Sequence, residues 1–213
     1  GADVTETSLR PGRPRDPDVD RRVAQAAVAQ FGEAGWQGFS VEAVARRAGV
    51  GKASIYLRWP TKSELLLDAL KSSLGRIEDI ARDTVRDDLL ELTRQLMASY
   101  QGDVGAAFLR MTVEARQIPG VAEHWESLKQ QQILAARAIV RRAIARGELP
   151  EGTSVTLLLD TLCGAASMHA QAAPAALRPA QQARAEEYAA SLVDYVLAAA
   201  SAAPRTRETH SSD

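Results

Sequence analysis

Between Lys52 and Lys62 the side chains of Lys52, Ser54, Tyr56, Arg58 and Lys62 all carry hydrogen-bond donors. Ammonium, guanidinium and hydroxyl groups crowded in this way suit phosphate oxygens and the edges of bases. Ile55 and Trp59, four residues apart, supply an apolar face opposite them. Catalysis would ask for a different set. His124, His169 and His210 are scattered, Cys163 has no partner cysteine, and the spacing from Cys163 to His169 does not put both on one helical face. No glycine-rich phosphate loop and no nucleophile elbow occurs. Enzyme activity, a metal site and a cofactor are therefore not expected.

The donors sit in the stretch SVEAVARRAGVGKASIYLRWPTK, residues 40–62, which reads as two short helices joined by a tight turn and running into another helix. Ser40 is a good N-cap, and Glu42 places a carboxylate at the positive end of the helix dipole. Val41, Val44, Ala45 and Ala48 form one narrow apolar stripe. Gly49 ends that helix in the left-handed conformation glycine tolerates, and Val50 plugs the turn. The next helix begins near Gly51 or Lys52, short, apolar on one side and donor-rich on the other. Upstream, residues 18–34 present Val19, Val23, Ala26, Ala27, Val28 and Phe31 as the face of a supporting helix that Gly35 ends. Trp36 is expected to pack rather than to touch a base. Downstream, Thr61 caps a helix with Leu66, Leu70, Leu74 and Ile77 along one face.

The run AxxAGVGKASIYLRWPTKSELL resembles the DNA-binding domain of the TetR family of bacterial transcriptional regulators, over roughly residues 17–67. Ala45, Ala48, Gly49, Val50, Ile55, Tyr56, Lys62 and Leu65 fit the family pattern. Gly51 departs from the usual serine, Ala53 from glycine, Arg58 from histidine or tyrosine, and Trp59 from phenylalanine. The resemblance implies that Lys52, Ala53, Ser54 and Leu57 meet base edges, while Ser40, Tyr56, Arg58 and Lys62 contact phosphates. It also implies a homodimer on a double-stranded, palindromic operator, with repression relieved by a small-molecule effector of largely apolar character. The open alternatives are a ligand-independent regulator, or a helical interaction protein whose helix-turn-helix does not read DNA.

Composition agrees with an all-α chain. Of 213 residues 46% are hydrophobic and 25% charged, and Tyr, Phe and Trp are few. Residues 9–62 hold ten Lys or Arg against five Asp or Glu, whereas the remainder holds sixteen against twenty-two. The basic part coincides with the helix-turn-helix, as for a DNA-binding domain joined to one with another task. The expected division is a disordered basic arm over 1–16, a three-helix DNA-binding domain over 17–62, a larger ligand-binding and dimerisation domain over 63–203, and a disordered tail over 204–213. Arginines in SLRPGRPRDP would let the arm enter a minor groove or serve as a solubilising tail.

The second domain reads as helices near residues 87–100, 104–117, 121–146, 154–172 and 179–200, which makes about nine in all. The last two are alanine-rich, as in CGAASMHAQAA and YAASLVDYVLAAAS, and are expected to build an intermolecular four-helix bundle or else an Ala-rich core within one chain. Met97, Tyr100, Phe108, Met111, Trp125, Leu128, Cys163 and His169 are the candidates for an effector pocket, although each also suits ordinary core. The opening GADVTETS lacks a signal-peptide pattern, a single cysteine suits a reducing compartment, and no apolar run reaches membrane-span length. A cytoplasmic location, with no membrane partner, is the expectation.

Overall fold

The computed structural model describes residues 16–202. The basic arm expected over 1–16 lies outside them except for Asp16, and the 204–213 tail and His210 lie outside them altogether. Among the described residues there are ten α-helices, three short 3-10 turns and no strand. The helices are α1 Pro17–Gly38, α2 Val41–Ala48, α3 Lys52–Arg58, α4 Lys62–Ser73, α5 Val85–Ala98, α6 Gly102–Glu114, α7 Ala122–Ala145, α8 Val155–Ala172, α9 Arg178–Ala183 and α10 Ala185–Ala202.

Local chemistry accounts for most of the boundaries. The Asp16 carboxylate accepts from the Asp18 N–H and Pro17 opens α1. Gly35 (φ 65°) breaks α1 where a stop was expected, but the chain resumes a helical turn to Gly38 before Phe39 caps it. Thr61 and Glu64 form a reciprocal capping box at the start of α4. Helix α4 stops at Ser73, so Leu74 is its C-cap and Ile77 lies on a separate 3-10 turn, not on the same helical face as expected. The helix expected over 179–200 is two helices, because the backbone leaves helical geometry at Arg184 between α9 and α10.

Two apolar clusters hold the helices together. The first gathers Val23, Ala27 and Phe31 of α1, Val44 of α2, Ile55 of α3 and Leu66 and Leu70 of α4, and it continues into Met111 of α6 and Trp125 of α7. Helix α1 is thus packed against α2, α4 and α6. Arg110 of α6 clamps the broken end of α1, donating to the Gly32 and Glu33 carbonyls at 3.0 and 3.1 Å. Glu114 accepts from the Trp36 N–H at 3.3 Å. These contacts satisfy backbone groups that the break at Gly35 would otherwise orphan.

The second cluster joins α5, α7, α8 and α10 around Leu89, Ile139, Leu162 and Val193. Its entry segment, residues 80–85, is tied down by charge. Asp88, fully buried, accepts from the Arg82 N–H at 2.6 Å and lies 3.6 Å from Arg146. Glu148 accepts from the Val85 N–H at 2.5 Å, and Arg142 donates to the Ile80 carbonyl at 2.8 Å. No helix among the described residues is long and apolar enough to cross a membrane.

Candidate nucleic-acid interface

The turn between α2 and α3 follows from three residues. Ser40 Oγ accepts from the Ala43 N–H at 3.1 Å, Gly49 takes φ 68° and ψ 37°, and the Val50 N–H closes on the Ala45 carbonyl at 3.1 Å. An L-residue at position 49 would be strained there, which explains the glycine. Helix α3 then starts at Gly51 without a side-chain cap. Ile55, completely buried, pins α3 to the core beneath it.

The opposite face of α3 is bare. Lys52, Ala53, Tyr56 and Leu57 are exposed, and Leu57 shows 85% of its surface to solvent. An aliphatic side chain that exposed, on a helix whose other side is core, is available to a thymine methyl or a similar apolar contact. Lys52 pairs with Glu42 of α2 and lies 5.6 Å from the Tyr56 ring centre. The hydrogen bond from Lys52 holds the Glu42 carboxyl below the usual range, and the same bond holds the Lys52 ammonium above its own. The ammonium is therefore charged at neutral pH and stationed at the edge of the exposed face.

The other expected contacts are less alike than the sequence implies. Ser54 is half-buried and its Oγ accepts from Arg58 Nη1 at 2.7 Å. Arg58 turns back into the protein: its side chain is 12% exposed, and its Nε donates to Asp20 of α1 at 2.5 Å. Lys62 donates to the Phe39 carbonyl at 3.0 Å and stands over the Trp36 ring, 4.0 Å from its centre. Ser40 is half-buried with its hydroxyl in the cap of α2, and Tyr56 is partly exposed. Lys52, Ala53, Tyr56 and Leu57 thus share one open face, with Ser40 and Lys62 beside the start of α2, while Arg58 is engaged inward.

Several partners in this arrangement carry no sequence signal of their own. Asp20 and Asp68, which hold Arg58 and the Trp59 indole, read as ordinary surface acids, and so does Glu33, which pairs with Arg47 of α2 at 2.6 Å. One clue exists. A buried indole N–H needs an acceptor, so Trp59 in place of phenylalanine announces that some nearby side chain supplies one.

The eight pocket candidates do not come together. Phe108, Met111, Trp125 and Leu128 belong to the first cluster, with the Phe108 and Trp125 rings 5.2 Å apart. Met97 and Cys163 belong to the second. The Tyr100 hydroxyl donates to Ser167 at 3.1 Å, and His169 stacks on Tyr188 with ring centres 3.6 Å apart. An open cleft of about 710 Å³ between α4 and α7 is lined by Asp68, Lys71, Ser72, Leu74, Leu128 and Gln131, among others, so Leu128 is the one candidate that borders it. Among the described residues no three His, Cys, Asp or Glu side chains are placed to hold a metal ion.

A tight helix-turn-helix with one face in the core and the other bare, set on a wholly helical body, defines a DNA-binding protein. Comparison with known proteins narrows the class. Residues 24–69 match the family described as bacterial regulatory proteins, tetR family, and residues 80–196 match the tetracyclin repressor-like C-terminal domain. The HTH-type transcriptional regulator AqdR of Rhodococcus erythropolis is 34% identical over 144 residues, which is 67% of this chain and 70% of AqdR. A TetR transcription regulator from Haloarcula marismortui has the same fold, with a TM-score of 0.60 at 18% identity over 87% of this chain and 99% of its own. FadR from Bacillus subtilis, solved in complex with stearoyl-CoA, gives a TM-score of 0.59 at 20% identity over 85% and 97%. The chain belongs to the TetR family: it is a DNA-binding transcriptional regulator and not an enzyme.

Proposed function

We propose that the chain is a cytoplasmic bacterial repressor that binds a palindromic operator as a homodimer and is released by a small-molecule effector. Residues 17–62 read the DNA, and residues 63–203 dimerise and receive the effector. Lys52, Ala53 and Leu57 face base edges in the major groove, with Ser54 behind them, while Tyr56, Ser40 and Lys62 set the register on phosphates. The observation that carries this reading is the bare outer face of α3, with Leu57 85% exposed above a fully buried Ile55.

Dimerisation is assigned to α8 and α10. Leu157 and Met168 are eleven residues apart, close to three helical turns, and so lie on one face of α8; they are 66% and 67% exposed, and Tyr195 of α10 is 73% exposed. Apolar side chains left this open on two adjacent helices suit a second copy of the same pair. Two α3 helices held about 34–36 Å apart would then enter successive major grooves. A largely apolar effector is in keeping with the stearoyl-CoA found in FadR, and Phe108, Trp125 and Leu128, which share the first cluster, are the side chains that would meet it. Binding in that region would favour a dimer whose α3 spacing no longer matches the operator.

Selection of bound duplexes from a random pool tests the reading. Enrichment of a two-fold symmetric sequence, and its release by an acyl or similarly apolar ligand, is expected. A pool with nothing enriched at moderate salt overturns the regulator mechanism, and enrichment without release by any ligand overturns the effector part.

A further inference from the structure

Helix α3 is seven residues long, has one buried side chain, Ile55, and lacks a side-chain N-cap. Its pose therefore depends on what holds its C-terminal end. Arg58 ties that end to Asp20 on α1. The following residue, Trp59, is 9% exposed and sends its indole Nε1–H to the Asp68 carboxylate on α4 at 2.8 Å.

That second bond spans a corner. Only Trp59, Pro60 and Thr61 connect α3 to α4, and Asp68 lies more than a turn into α4. The indole-to-carboxylate bond closes the loop between the two helices and fixes the angle at which they meet. Phenylalanine at position 59 would fill the same apolar site without this tie. Asp68 is itself exposed, and it forms part of the wall of the cleft between α4 and α7. Ser72, four residues on and so beside it on the helix, lines the same cleft.

We propose that Asp68 is a positioning residue that sets the pose of the recognition helix through Trp59, and that the α4–α7 cleft is a site where a ligand bearing an ammonium or amide donor alters that pose by competing for the Asp68 carboxylate. The inference rests on the reading that α3 binds DNA. It concerns a cleft of mixed lining, with Asp68 and Glu78 beside Lys71 and Arg76, that shares only Leu128 with the apolar residues assigned to the effector above. A carboxylate accepting from an indole makes a charge-assisted bond, and an ammonium brought to the same oxygen atoms is a stronger partner for it.

The test uses the full chain and the selected operator duplex. Trp59→Phe and Asp68→Ala should each weaken operator binding about tenfold, the factor matching one charge-assisted hydrogen bond. The double variant should be no weaker than either single one, Asp68→Asn should recover most of the loss through its amide oxygen, and the salt dependence should not change. Attaching an aminoethyl group through a disulfide to the Ser72→Cys variant, in a Cys163→Ala background, should reproduce the loss. A propyl group attached in the same way should not, and neither should either label once Trp59→Phe is present. Operator affinity unchanged in Trp59→Phe, or additive losses in the double variant, would overturn the positioning role. Equal effects of the two labels would overturn the cleft. Failure of the wild-type chain to bind any duplex selectively is a separate outcome, which strikes the DNA reading itself.

Discussion

The Lys62 ammonium stands 4.0 Å from the centre of the Trp36 indole while donating to the Phe39 carbonyl at 3.0 Å. An ammonium has three N–H donors, so this seating leaves donor capacity for a phosphate and fixes where that phosphate must lie. Trp36 is in turn stacked on Phe39, with ring centres 5.9 Å apart, and its backbone N–H is held by Glu114 of α6. The lysine at the start of α4, proposed above to hold the phosphate backbone, is thus braced by the break in α1 and by a helix outside the helix-turn-helix.

Replacing Trp36 with leucine removes the ring beneath the ammonium. A cation–π contact of about 0.5–1 kcal/mol corresponds to a two- to fivefold loss of affinity. The loss is expected to be equal on operator and unrelated duplexes, as measured by fluorescence anisotropy, because the role proposed for Lys62 is on the phosphates and not on the bases. A change in the ratio between the two duplexes would be the wrong result.

Arg58 is expected to matter more to the fold than to the phosphate backbone. Its pairing with Asp20 is partly shielded, the side chains being 12% and 34% exposed, so Asp20→Ala should cost about 1–2 kcal/mol, between the values typical of exposed and buried pairs. Thermal unfolding reads this directly. Arg58→Met should show a similar fall in Tm with a salt slope reduced by less than one; a full unit lost with no change in Tm would make Arg58 a phosphate contact after all.

Asp88 carries the entry to α5. Its fully buried carboxylate accepts from the Arg82 N–H and pairs with Arg146, and Asp88→Ala takes the acceptor from the Arg82 N–H and leaves Arg146 with Glu148 alone. The expected cost is about 2–3 kcal/mol, or roughly 5–10 °C in Tm for a chain of this size. Arg146, which also binds Glu148, should be less sensitive, because its side chain is 38% exposed.

Burial pushes the Cys163 thiol up to about 11 from a usual 9.0, with the nearby Asp160 charge adding to the effect. The folded protein favours the protonated thiol, so the stability this contributes is complete below pH 9 and is lost as pH rises through about 11. Reaction with a disulfide reagent at pH 8 should be slow in the native protein and fast once denaturant is added. Equal rates in the two states would show that the thiol is not shielded.

Much of the DNA-binding end was legible because its determinants are local. Ser40, Gly49 and Thr61 act on backbone groups within a few residues, and the spacing of Val44, Ala48 and Ile55 shows which faces are buried. What lay beyond reach depends on distant partners. Nothing adjacent to Arg58 or Lys62 reveals that Asp20 and the Phe39 carbonyl, 38 and 23 residues away, would claim them. The pocket candidates were dispersed for a related reason: helical periodicity shows that Met97 and Trp125 are buried but not that they enter different clusters. In the alanine-rich C-terminal stretch, the break at Arg184 had too little contrast in side-chain type to stand out.

The division of labour between the α3 face and the start of α4 is tested most directly by salt titration of Lys52→Ala and Lys62→Ala on the selected operator and on a scrambled duplex. Lys62→Ala should weaken both duplexes in parallel and flatten the salt slope by about one unit, whereas Lys52→Ala should narrow the gap between the duplexes by about 1–3 kcal/mol. If the two variants behave alike on both duplexes at every salt concentration, the assignment of base reading to α3 and backbone holding to Lys62 is wrong.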